Sequence, residues 1–226
     1  MVKNKEVGED LRIEDPWRVF RIMAEFVDGF HELSEVGPAV SIFGSARTKP
    51  TSHWHRKAEK TARLLVDEGY AIITGAGPCI MEAGNKGASK VKGKSIGLNI
   101  DLPFEQKPNR YVQEIIHFHY FFCRKVMFVK YATAFVIFPG GFGTLDEFFE
   151  SITLIQTRRI GKFPVVLFGT NYWGGLVDWL KKSVLKEKNI DPEDMDIFRM
   201  VDKPEDVVKA IKKFYNTKKK NNGKKS

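Results

Sequence analysis

The stretch Ala134–Glu150, AFVIFPGGFGTLDEFFE, decides how this chain reads. An apolar run, Phe135 to Phe138, stops at Pro139-Gly140-Gly141. Gly143-Thr144 follows, then an acidic, apolar pattern of helical type. That order predicts a buried strand, a tight turn and the N-terminus of a helix. Such a junction aims bare backbone N–H groups and the positive end of a helix dipole at one spot, which suits a phosphate. Asp146, Glu147 and Glu150 would then lie beside whatever carries the phosphate.

Working outward, strands and helices alternate from Ala39 onward. Ala39–Phe43, Tyr70–Thr74, Ser95–Ile100, Ile115–Phe118, the run at Phe135, Pro164–Phe168 and Phe198–Val201 read as strands, with helical patterns between them. The alternation predicts an α/β, Rossmann-like fold: a mainly parallel sheet with helices on both faces. Three strands end in glycine-rich turns, Gly44-Ser45, Gly75-Ala76-Gly77 and Gly140-Gly141-Phe142-Gly143. Ligands in such folds bind outside the carboxyl ends of the strands, so the three turns are expected to meet in one cleft. Ahead of the first strand, Trp17, Phe20, Met23, Val27, Phe30 and Leu33 recur at spacings of three and four. This is an amphipathic helix, opened by Asp15-Pro16 and closed by Gly37-Pro38, with a face to bury on the domain or on a partner subunit.

Composition bounds the rest. The chain has 226 residues, enough for a full core, with 42% hydrophobic and 12% aromatic content. Its apolar runs are far too short to span a bilayer. The start, MVKNKEVGED, has no signal-peptide pattern. Two cysteines, Cys79 and Cys123, make no disulfide framework, which fits a reducing cytoplasm. The net charge is +9, but eight lysines and no acid lie between Lys209 and Ser226, leaving about +1 for the body. The basicity therefore belongs to a tail, read as a solubilising end; nucleic acid and membrane partners are not expected. The expected organisation is a mobile lead over 1–13, one nucleotide-binding domain over 14–216 including the first helix, and a disordered lysine-rich tail over 217–226.

Several motifs fail on inspection. Gly93-Lys94-Ser95 lacks the upstream glycine of a P-loop and precedes a strand. Gly75-Ala76-Gly77 begins like a dinucleotide fingerprint but lacks its third glycine. His117 and His119 share one side of a strand without an evident third ligand, so packing or a polar surface is favoured over metal. The key junction also has a purely structural reading. Thr144-Leu145-Asp146-Glu147 fits a capping box, in which Glu147 would bond back to the backbone and do no chemistry. Gly140, Gly141 and Gly143 within four residues argue instead for close approach of a ligand. Arg124 shares a helical phase with Phe121, Met127, Phe128 and Tyr131. On that apolar face it either snorkels or meets an anion.

Arg124-Lys125-Val126-Met127 together with PGGFGTLDE resembles the LOG ("lonely guy") family, often labelled lysine decarboxylase-like proteins. FGSAR, TGAGPCIMEAGNKGA, SIGLNIDLPFEQ and TLIQT are similar to its bacterial branch, and the likeness spans roughly Ala39 to Val208. The resemblance implies a nucleoside 5′-monophosphate phosphoribohydrolase, including enzymes that release cytokinin bases. It further implies a homodimer or higher homo-oligomer with substrate near the subunit interface, and no cofactor or metal. It assigns Arg124 and Glu147 as catalytic. Gly141, Phe142, Gly143 and Thr144 would cradle the phosphate; Gly140, and Gly44, Ser45 and Gly75 from the other turns, are expected to bind substrate. Lys125, Thr153 and Glu105 would also contact substrate. Ala76 and Cys79 stand where the family has glycines, and their methyl and thiol are expected to narrow the cleft or change the base preference. Nothing singles out a lysine for pyridoxal phosphate. The alternative is a non-catalytic nucleotide sensor on the same fold.

Overall fold

The computed structural model describes residues 16–102 and 107–222. Its strands are the short apolar runs: β1 (Ala39–Phe43), β2 (Ala71–Thr74), β3 (Ser95–Ile100), β4 (Glu114–Phe118), β5 (Ala132–Ile137), β6 (Val165–Phe168) and β7 (Phe198–Val201). All pair in parallel, in the order β4-β3-β2-β1-β5-β6-β7. β1, β2, β3 and β6 are buried along their whole length, as strands covered on both faces must be. β4 lies at one edge and buries only Ile116 and Phe118.

The helices are α1 (Pro16–Leu33), α2 (His53–Asp67), α3 (Ile80–Lys90), α4 (Phe121–Tyr131), α5 (Phe142–Gln156), α6 (Thr170–Trp179) and α7 (Pro204–Asn222). Because successive strand residues face opposite ways, β5 feeds two cores. Phe135 and Ile137 pack on one side with Leu33, Met127, Phe148 and Trp173, from α1, α4, α5 and α6. Ala134, Val136 and Phe138 pack on the other with Leu65, Ile80 and Ile211, from α2, α3 and α7. The Rossmann-like α/β fold expected from the alternation is the one observed.

The sheet order places the site. The chain leaves β1 through α2 towards β2, and leaves β5 through α5 towards β6 on the opposite side. The two crossovers diverge between neighbouring strands, and a crevice opens at their carboxyl ends.

Two details differ from the sequence reading. The helical pattern between β6 and β7 forms as α6 followed by a π-helical turn, Leu180–Leu185, rather than one regular helix. α7 continues to Asn222, past the boundary set at 216. Lysine is a good helix former, so a charged composition does not by itself end a helix. The proposed lead over 1–13 and residues 223–226 lie outside the described residues. No helix among those described is long and apolar enough to cross a membrane.

Candidate functional site

The junction quoted first forms as a strand, a turn and a helix. α5 begins at Phe142, with Gly141 as its N-cap and no side-chain cap. Thr144 therefore sits inside the first turn, its N–H on the Gly141 carbonyl at 3.0 Å. The capping box does not form, because the glycines let the helix start three residues earlier than Thr144-x-x-Glu147 suggests. Freed from a capping role, Glu147 lies in the second turn of α5. The N–H groups of Phe142 and Gly143 have no intrahelical partner by construction, and both residues line the crevice. Any side chain at Gly140 would collide with Thr144. Tyr172 of α6 donates its hydroxyl to the Gly140 carbonyl at 2.7 Å and holds the turn from behind.

The other turns converge on this one. Ser45 N–H donates to the Pro139 carbonyl at 3.0 Å, tying the turn after β1 to the turn after β5. Ile80 N–H donates to the Ser45 carbonyl at 3.3 Å, bringing in the start of α3. The resulting cleft holds about 870 Å³. Gly44, Ser45 and Gly75 line it, as do Gly140 and Gly141 with Phe142, Gly143 and Thr144. Arg124 and Glu147 line it too, from α4 and α5.

Arg124 does not snorkel. Its Nε donates to the Leu98 carbonyl of β3 at 2.8 Å, and its guanidinium lies 5.2 Å from the Phe128 ring centre. A side chain at Gly75 would collide with that guanidinium, so this glycine is the space that admits Arg124. Burial lowers Arg124 to about 10, opposed by the charge of Glu147, and it remains a cation at neutral pH. Burial raises Glu147 to about 7; Glu150 and Asp146 add to the rise, while Lys125 and Arg124 oppose it. Glu147 Oε2 is buried without a hydrogen-bond partner. A buried carboxylate oxygen left unpaired is costly unless a ligand completes it.

Other expected residues stand elsewhere. Lys125 does not line the cleft; its Nζ meets Asp146 at 2.9 Å and Glu150 at 3.0 Å. Burial works against its charge, but these two carboxylates hold it net above the usual lysine range. It clamps α4 to α5 instead. Thr153 is exposed farther along α5, three turns from the cleft mouth, and does not line it. Glu105 lies outside the described residues. Ala76 and Cys79 do not narrow the cleft. Ala76 has a left-handed φ of 62°, and its methyl abuts Gly97 of β3. Asn109 secures it through bonds to the Ala76 and Gly77 carbonyls, both at 3.0 Å. The Cys79 thiol donates to the Ala46 carbonyl at 3.1 Å. His117 and His119 both turn towards Asp101, with His119 Nδ1 2.9 Å from it.

Arg47 and Tyr172 were missed by the sequence reading although both line the cleft. Each follows a strand end, β1 for Arg47 and β6 for Tyr172; of these, only the turn after β1 was among the three expected to meet a ligand. The apolar side of the cleft, Met81, Ile100, Leu102 and Phe121, comes from three separate segments and carries no local motif.

The chain is similar to known proteins in sequence and in fold. The family model described as "Possible lysine decarboxylase" matches residues 81–211. A cytokinin riboside 5′-monophosphate phosphoribohydrolase of Arabidopsis thaliana, LOG3, is 33% identical over 92 residues, 40% of this chain and 42% of that protein. The chain thus matches less than half the length of such curated relatives. The X-ray structure of the structural-genomics protein TM1055 superposes with a TM-score of 0.60 at 22% identity, over 78% of this chain and 99% of that one. The molybdenum cofactor binding protein of Rippkaea orientalis gives 0.59 at 19% identity, over 79% and 97%. At such identities the two structures speak for the fold alone. The family match covers more than half of the sequence, and the chain belongs to the lysine decarboxylase-like (LOG) family.

Proposed function

We propose that the cleft hydrolyses the N-glycosidic bond of a nucleoside 5′-monophosphate, giving free base and ribose 5-phosphate. The carrying observation is Glu147: a buried carboxyl group raised to about 7, with Oε2 unpartnered, one turn beyond a helix N-terminus that suits an anion. The names of curated relatives, phosphoribohydrolases acting on cytokinin riboside 5′-monophosphate, support the reaction class.

In this reading the phosphate sits at the first turn of α5 and fixes the sugar, so that the reacting bond is positioned before chemistry begins. A phosphate repels a carboxylate, so Glu147 faces the ribose rather than the phosphate. Cleavage of a glycosidic bond passes through an oxocarbenium-like transition state. Ionised Glu147 stabilises that cation, holds the ribose hydroxyls or orients the attacking water, and each role needs the carboxylate form. Arg124 anchors the phosphate or ribose and keeps a positive charge beside Glu147. The apolar lining at Met81, Ile100 and Phe121 receives the base. The outer face of α1 leaves Trp17, Phe20, Met23 and Val27 more than half exposed. A second copy of the chain covering this face gives the homodimer, and the setting is cytoplasmic.

The second reading, a nucleotide sensor without activity, draws on fold neighbours named as cofactor-binding or carrier proteins. Incubation with a panel of nucleoside 5′-monophosphates, with the matching nucleosides as controls, separates the two. Hydrolysis predicts ribose 5-phosphate from at least one monophosphate and none from the nucleosides. Saturable binding without product from any of them would favour the sensor.

A further inference from the structure

A second cavity lies at the other end of the sheet from the cleft. It opens at the amino-terminal ends of β6 and β7 and holds about 540 Å³. That size is typical of small-molecule sites. Its floor is apolar: Ile155 at the end of α5, Phe163 and Val165 entering β6, Phe198 opening β7, and Phe214 of α7. Its mouth is cationic. Lys162, Arg199 and Lys213 line it against a single carboxylate, Asp196. All three cations are exposed, and none has an ion-pair partner among the described residues. Some cations elsewhere are paired, Lys86 and Lys90 with Glu59, Lys60 with Glu205, and Lys125 with Asp146 and Glu150, whereas here three converge on one concave surface. The segment leading to Phe163, Arg158-Arg159-Ile160-Gly161-Lys162, adds two more cations and no acid.

We propose that this cavity is a second binding site, distinct from the cleft, for an amphipathic anion: an apolar body carrying a carboxylate or a phosphate. The concave floor, built by α5, α7 and two strand entries, takes the apolar body out of water. The unpaired cations at the rim take the anionic head through charge-assisted hydrogen bonds while remaining solvated. A neutral apolar ligand would leave the cations unanswered, and a cationic one would be repelled. The inference is independent of the chemistry assigned to the cleft.

Calorimetric titration of the full chain tests it, with decanoate, decyl phosphate and decyltrimethylammonium as probes. Saturable binding of one equivalent of either anion, and none of the cation, is expected; which anion binds names the head group. Arg199→Gln with Lys213→Gln should weaken that binding by about tenfold or more. Both residues are exposed, so unchanged thermal melting checks that the fold is intact. Ala210→Phe, which fills the cavity from α7, should abolish binding. Glu147→Gln should bind decanoate as the unaltered chain does, and adenosine 5′-monophosphate should not displace it. The proposal is overturned by the absence of saturable binding for both anions, by equal binding of the cation, or by an unchanged affinity in the Arg199/Lys213 variant. Displacement by the nucleotide would place the anion in the cleft instead. A change in oligomeric mass on making the charge substitutions would identify the surface as a contact between copies, and equally overturn it.

Discussion

Glu147 is held in a form the protein would not choose for stability. Its proton is bound more tightly in the native state, at about 7, than in the unfolded chain, where the ordinary value is 4.5. Between those values the folded state holds the extra proton, so stability declines as pH rises through this window and levels off above it. At about 1.4 kcal/mol per tenfold in proton affinity, the decline amounts to about 3 kcal/mol at most. Glu147→Gln removes the charge and keeps the shape. Thermal melts from pH 4 to 9 should show the variant more stable than the parent above pH 7 and the two converging near pH 4. Equal melting at all pH values would show that Glu147 is not desolvated. Gly75 supplies a second residue-scale test. In Gly75→Ala the new methyl meets the Arg124 guanidinium. The substitution should cost activity much as Arg124→Ala does, and the double variant should be little worse than either, because both act on one interaction. Additive losses would separate the two positions.

At the scale of elements, α4 and α5 act as a clamped pair. Lys125 bridges Asp146 and Glu150 on α5, and so sets the charge around Glu147 as well as the helix spacing. Removing it as Lys125→Met takes away a cation that holds Glu147 down and leaves two carboxylates that push it up. The acid limb of the pH–rate profile should therefore move to higher pH, by up to about one unit. A shift to lower pH would contradict the charge arrangement. The clamp was not legible in the sequence, because Lys125 stands next to Arg124 and reads as a second ligand for substrate; only the packing of two helices reveals its partners. The strand–turn–helix junction was legible, since an apolar run ending in glycines leaves few local alternatives. The capping-box alternative fails for a physical reason. Its pattern was present, but Gly141 and Gly143 permit an earlier helix start. Ala76 and Cys79 show the same limit: their identities were visible, but the direction of the methyl and thiol depends on β3 and on the loop at Ala46.

For the whole molecule, the parallel sheet followed from alternation, but the strand order did not. The crevice between β1 and β5 exists because the chain crosses to opposite sides from those two strands, which periodicity cannot state. Tyr172 and Arg47 enter the cleft only through that topology. The outer face of α1 belongs to this scale too. Met23 and Val27 are each more than half exposed on an apolar stripe. Met23→Glu with Val27→Glu should convert a dimer to a monomer in sedimentation equilibrium without altering the fold, since neither side chain is in the core. An unchanged mass would remove α1 from the interface. All these scales meet in one claim, that Glu147 breaks a sugar–base bond held over the first turn of α5. The direct measurement is release of ribose 5-phosphate from a nucleoside 5′-monophosphate, by the parent chain and by Glu147→Gln, across pH 5 to 9. The account predicts a parent rate that rises through about pH 7 and a folded variant slower by about 10²–10⁴ above that pH, with the gap narrowing as the pH falls and Glu147 takes up its proton. A Glu147→Gln chain that releases ribose 5-phosphate at the parent rate would contradict it.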